Sequence, residues 1–126
     1  MDIVPLNHKR IFSRVDATNL LPVIYRITEA AQKDVKHLIN RMEAIKTMSP
    51  SRATEIESEI NLTVERWQQK VAKLGANPKG LWLADFDNGE GYYCWKFPET
   101  EISYWHGYKD GFSGRTALQP EKNGHS

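Results

Sequence analysis

Between residues 20 and 46 the apolar side chains fall at Leu20, Ile24, Ile27, Ala31, Val35, Leu38, Met42 and Ile45. Every step is three or four residues, which places all of them on one face of a helix. Upstream, Ser13 followed three residues later by Asp16 resembles a capping box, so a short helical turn is expected over residues 14–20. Pro22 lacks an N–H and clashes with the preceding turn, which predicts a kink or a fresh start there. A second stripe runs through Ala53, Ile56, Ile60, Val64, Trp67, Val71 and Leu74, opened by Ser49-Pro50-Ser51 and closed by Gly75. Ser49 offers a capping hydroxyl, Pro50 suits the first helical position, and Gly75 sits where a left-handed C-cap belongs. The charges agree with the helix dipole, Glu55, Glu57 and Glu59 coming early and Lys70 and Lys73 late. Two long helices with a short connection predict an antiparallel hairpin.

From residue 80 the period changes to two. Leu81 to Phe86, Tyr92 to Phe97 and Ile102 to Gly107 are aromatic-rich runs separated by turn residues, which predicts a three-stranded antiparallel meander. Asn88-Gly89 is the strongest hairpin signal, and as a two-residue loop it sets Asp87 opposite Glu90. The loop Pro98-Glu99-Thr100-Glu101 then sets Phe97 opposite Ile102, Trp95 opposite Tyr104 and Tyr93 opposite His106. On this register one face carries Trp82, Ala84, Phe86, Tyr93, Trp95, Phe97, Ile102, Tyr104 and His106, and it is placed against the helices. The other carries Leu81, Leu83, Asp85, Tyr92, Cys94, Lys96, Ser103 and Trp105 and is mixed enough to be a working surface. With a longer first loop through Gly91, Asp85, Tyr93 and His106 would instead cluster at one end of the sheet. Arg10 to Phe12 is a candidate edge strand.

The fold class is therefore α+β: an N-terminal antiparallel helical hairpin packed on a small three-stranded antiparallel β-meander. One domain is expected over 1–126, with a tail at 1–9, the hairpin at 10–75, the meander and its Gly-rich loop at 80–116, and a polar tail at 117–126. Each helix should be about 35 Å long at about 1.5 Å per residue. Strands of about six residues reach only about 20 Å. The distal half of the hairpin, with Leu38, Met42, Ile45, Ile56 and Ile60, then needs a further partner. Either the two helices satisfy each other there, or a second copy completes a four-helix arrangement.

Composition narrows the function classes. With 17 Lys and Arg against 16 Asp and Glu, the net charge of +1 gives no bulk attraction to nucleic acid or to a membrane. No run approaches a membrane span, and no signal peptide is read at the N-terminus. A single cysteine excludes an internal disulfide and suits a reducing compartment, so a cytoplasmic location is expected.

The chemistry-bearing residues crowd into the last third. Cys94 and His106 suggest a nucleophile and base with Asp85 as orienter, but in the register above Cys94 faces Trp105, and a thiol packed as a small hydrophobe is the simpler reading. Cys94, His106, Asp85 and Glu99 are the only metal ligands worth weighing. No CxxC or HxxxH spacing accompanies them, His8 and His125 fall in the tails, and His37 reads as a partly exposed helix residue. No metal and no cofactor is therefore expected. Gly111-Phe112-Ser113-Gly114-Arg115 admits two readings: an anion-binding nest with Arg115 as clamp, or a turn that anchors Phe112 while Arg115 pairs with Asp85, Glu99 or Asp110. Tyr92, Trp105 and Lys96 superficially resemble a base-stacking platform, which the neighbouring Glu90, Glu99, Glu101 and Asp110 disfavour.

Phe12-Ser13 leading into Leu20-Leu21-Pro22, then Gly80-Leu81, Asp85-Phe86, Cys94-Trp95-Lys96, Glu99, Trp105-His106 and Gly111-Phe112-x-Gly-Arg115 together resemble the bacterial domain of unknown function 2203. The resemblance runs from about Arg10 to Leu118. Trp82-Leu83-Ala84 look inserted between the Gly-Leu and Asp-Phe elements, and the loop holding Glu99 is altered. The resemblance marks Asp85, Cys94, Trp95, Glu99, Trp105, His106 and Arg115 and implies no activity. The expectation is thus a non-enzymatic module that self-associates through its hairpin and binds a partner protein or small anion through its β-module. The alternative is a small-anion binding domain or small enzyme with a site built from Asp85, Glu99, Trp105, His106 and Arg115. Single-stranded nucleic-acid binding ranks third.

Overall fold

The computed structural model describes residues 10–120; the tail 1–9 and the last part of the polar tail, 121–126, lie outside the described residues. Helix α1 runs Arg14–Ile45 and α2 Pro50–Lys73. The capping box forms as the sequence predicts, Asp16 N–H donating to Ser13 Oγ at 3.0 Å and Ser13 N–H to Asp16 Oδ2 at 3.2 Å. α1 runs through Pro22 without the fresh start that the proline allows. The missing N–H removes one ladder bond, but Ala17, Leu21 and Ile24 are buried on both sides of it, and a break would turn one half of that stripe away from the core. Pro50 takes the first turn of α2, while the Ser49 side chain makes no capping bond. Gly75 ends the hairpin with φ 97°, a left-handed conformation that a side chain would resist. Between the helices the buried Trp67 Nε1–H donates to Thr28 Oγ1 at 2.7 Å.

The sheet is an antiparallel meander of five strands rather than three: β1 Asn77–Pro78, β2 Leu83–Asp87, β3 Gly91–Lys96, β4 Tyr104–Gly107 and β5 Thr116–Ala117, neighbours in chain order. The two extra strands are two residues each and sit at the edges, too short to leave any periodic trace. Arg10 to Phe12 is not a strand. Phe12 N–H reaches Asp87 O at 2.7 Å, but Ser13 immediately starts α1 and ends any ladder. One face of the sheet, with Ala84, Phe86 and Trp95, joins Phe12, Ala17, Leu21, Ile24, Trp67 and Val71 in a single core. The Tyr25 ring of α1 lies 5.1 Å from Phe97 and 6.3 Å from Trp95.

Both turns differ from expectation, with opposite consequences. At the first, Asn88 N–H bonds Gly91 O, so Gly89 and Glu90 are central and Asp87 pairs with Tyr92 rather than Glu90. Gly89 carries the positive φ of 93°, and Asn88 Oδ1 accepts from the N–H groups of Glu90 and Gly91. Moving a turn by one residue moves each partner by two, so the faces of β2 and β3 are unchanged. At the second, Ile102 leaves the ladder to fill the core, and the pairs are Tyr92 with His106, Tyr93 with Trp105 and Cys94 with Tyr104. This is a one-residue slip from the expected register, and it exchanges the faces of β4. His106 and Tyr104 pass to the side of Cys94, and Trp105 passes to the side of Tyr93.

Candidate functional site

The outer face of the sheet now explains itself. Asp85 on β2 pairs directly with Cys94 on β3, and His106 on β4 lies diagonally across, two residues beyond the partner of Cys94. Such positions share a face and are within side-chain reach. All three are buried, and one ligand-capable atom from each lies within 4.8 Å of the other two. His106 Nε2 is 3.1 Å from Asp85 Oδ2, and Nδ1 is 2.9 Å from Gly107 O. A carbonyl oxygen only accepts, so Nδ1 carries a proton. Nε2 then meets Asp85 either with a second proton or with a lone pair receiving the carboxyl proton.

Burial raises the Asp85 pKa, and the nearby His106 and Lys79 only partly offset that. Burial, then the Asp85 charge, push the Cys94 thiol up to about 12 against an opposing pull from Arg115. A thiol so placed favours its protonated form at neutral pH.

The trio forms the floor of a cavity of about 310 Å³ walled by Lys79, Tyr92, Tyr108, Asp110 and Phe112. Tyr92 packs against both His106 and Tyr108, at 5.5 and 5.2 Å between ring centres. Tyr108 Oη donates to the buried Asp87 at 2.7 Å, and Lys79 Nζ stands 5.5 Å from the Tyr92 ring. A larger groove of about 900 Å³ runs along α1 past Leu21, Pro22 and Tyr25. Its Arg14 is already bonded to Gln119 O and Ile102 O, and among the described residues the only trio of metal-capable groups is the one on the sheet.

Of the remaining candidates, Arg115 borders the floor beside Cys94. Arg115 forms a two-pronged ion pair with Glu99, Nη2 to Oε2 at 2.6 Å and Nη1 to Oε1 at 3.2 Å. Its guanidinium lies 3.8 Å from the centre of Tyr104 and 4.3 Å from that of Phe112. Neither Gly111 nor Gly114 has a positive φ. The segment instead closes as a short 3-10 turn, Phe112–Gly114, so the anion nest does not form. Trp105 stands on the opposite face from His106. Of the five site residues named from sequence, Asp85 and His106 therefore meet, Glu99 and Arg115 pair with each other, and Trp105 is apart. Cys94, which the expected register turns toward Trp105, stands instead beside Asp85 and His106. Tyr92, read from sequence only as part of a stacking surface, walls the pocket together with Lys79 and Tyr108; its spacing of two from Cys94 is the sequence signal that puts it on this face.

No curated protein and no solved structure shows significant similarity to this chain. The model of the uncharacterized conserved protein family DUF2203 matches residues 10–118, which include both helices, the whole sheet and every residue of the cavity floor. The chain belongs to the DUF2203 family.

Proposed function

We propose that this protein is a ligand-binding domain whose site is the outer-face pocket above Asp85, Cys94 and His106. The observation that carries the reading is the convergence of these three buried reactive groups at the floor of a walled cavity. Burying an Asp–His pair is a poor route to stability, since apolar side chains of similar volume there serve a fold as well or better. Lys79 and His106 favour a small ligand with anionic or lone-pair character, and Tyr92 and Tyr108 supply flat apolar walls. No catalytic step is assigned, because burial and the Asp85 charge outweigh the pull of Arg115 on the thiol. A thermal-shift panel of small anions, nucleotides, acidic metabolites and divalent metals tests the reading. A ligand at about 100 times its dissociation constant adds about 2.7 kcal/mol, and that gain should vanish in His106→Gln. If no member of the panel stabilises the wild type, the reading falls.

A second reading, self-association through the distal hairpin, has its own support. Val35 and Ile56 are buried between the helices, but Leu38, Met42, Ile45 and Ile60 are only half-buried and Ile39 is exposed. Pairing with a second copy would cover that stripe in a four-helix arrangement. Equilibrium sedimentation should show a concentration-dependent dimer, weakened by Ile60→Glu; a monomer at all concentrations removes the reading.

A further inference from the structure

We infer that the floor of this pocket is a mononuclear site for a zinc-class divalent cation, held by Asp85 Oδ2, Cys94 Sγ and His106 Nε2 with its fourth position open to the cavity. The inference rests on the pocket reading above and adds a cation at the floor, to which the anionic or lone-pair ligand of that reading would bind.

Geometry comes first. Ligand atoms around a tetrahedral zinc-class ion, at about 2.0–2.3 Å from it, stand about 3.3–3.8 Å apart. Asp85 Oδ2 and His106 Nε2 are at 3.1 Å, and the set spans no more than 4.8 Å. Small side-chain rotations on fixed strands therefore close the site. Each ligand sits in a paired strand, so the backbone is already in place.

His106 supplies an independent observation. A metal-bound imidazole usually donates its other N–H to a carbonyl or carboxylate, which fixes the tautomer and aims the coordinating nitrogen. Here Nδ1–H is fixed on Gly107 O, and Nε2 is the atom turned into the cluster.

The donor set selects the ion. An Asp–His pair is complete with one proton between the two groups and has no need of a thiol beside it. A metal ion uses all three. One sulfur, one nitrogen and one oxygen suit zinc and its neighbours, whereas magnesium and calcium take oxygen ligands. Binding forms Asp85, Cys94 and His106 bonds to the ion, and the Cys94 proton leaves to solvent together with any proton shared by Asp85 and His106. With three protein ligands the fourth position is left to the cavity that Tyr92, Tyr108 and Lys79 line, where water or an anionic ligand completes the shell.

Cobalt(II) titration of chelator-treated full-length protein is the test. One equivalent should bind, giving a thiolate-to-cobalt charge-transfer band in the near ultraviolet and the visible bands of a tetrahedral ion, and zinc should displace it. Cys94→Ser should abolish the charge-transfer band. Cys94→Ser and His106→Gln should each lose more than the about 10–100-fold that outer-shell changes cost. Asp85→Asn serves as a milder variant if either fails to keep the wild-type circular dichroism spectrum. A wild type with no charge-transfer band, or one-equivalent binding that persists in Cys94→Ser and His106→Gln, overturns the inference. Should cobalt fail while an organic anion stabilises the wild type but not His106→Gln, the metal is excluded and the pocket reading stands. Should neither bind, both fall.

Discussion

Removing the Arg115 side chain separates a supporting role from a ligand-binding one, because the structure fixes how much stability it should cost. The guanidinium grips Glu99 through two bonds, with side-chain exposures of 16% and 24%. Exposed pairs contribute about 0–1 kcal/mol, while breaking a fully buried one costs about 3–5 kcal/mol. A partly screened, two-pronged pair lies between, at about 1.5–2 kcal/mol. Contact with Tyr104 and Phe112 adds about 0.5–1 kcal/mol. Arg115→Ala should therefore lose about 2–3 kcal/mol, which at this chain length is a fall in Tm of about 10 °C. Arg115→Lys keeps the charge but neither the fork nor the flat stacking surface, and should recover no more than about half. Glu99→Gln combined with Arg115→Ala should show a coupling of about 1–2 kcal/mol. Urea unfolding followed by fluorescence of the four tryptophans reads all of these. An Arg115→Ala loss under about 0.5 kcal/mol, or a coupling near zero, would refute the structural role.

Three further outcomes follow from single contacts. A Cβ on Gly91 would stand 2.5 Å from His106 O and 3.1 Å from Gly107 Cα. Gly91→Ala should thus cost about 1–3 kcal/mol in a thermal melt and weaken cobalt binding by displacing β4; an unchanged melt would contradict the close approach. Thr28→Val leaves the buried Trp67 Nε1–H without its acceptor and should cost about 1–3 kcal/mol in urea unfolding, a neutral result being incompatible with that bond. Pro22→Ala restores an N–H inside a continuous helix, where proline costs about 3 kcal/mol, against about 1 kcal/mol of unfolded-chain entropy regained. A net stabilisation of about 1–2 kcal/mol is expected in the melt, and a destabilised variant would show that the proline ring itself packs.

What the sequence by itself determined was local. The three-and-four spacing placed both helices, Ser13 and Asp16 set the start of α1, Gly75 set the end of the hairpin, and the alternation of Ala84, Phe86, Tyr93 and Trp95 identified the core face. Each of these depends on the residues within one turn or one strand, so the chain carries the signal at short range. Even the misplaced first turn did no harm, because its error shifted partners by two and kept every face. Asp85 and His106 were legible as candidates for the same reason: few residue types carry such chemistry.

Only the tertiary structure decided that they meet. Whether His106 or Trp105 faces Cys94 depends on the parity of the connection between β3 and β4, and that depends on Ile102 leaving the ladder for the core. No local pattern marks that departure, since Ile102 suits a strand and a core equally well. The same holds for Pro22, where the buried stripe through Leu21 and Ile24 outweighs a local helix breaker, and for β1 and β5, whose two residues pair only because the rest of the sheet is there. The helices and the core face are properties of short segments. The site is a property of register, which packing of the whole chain selects.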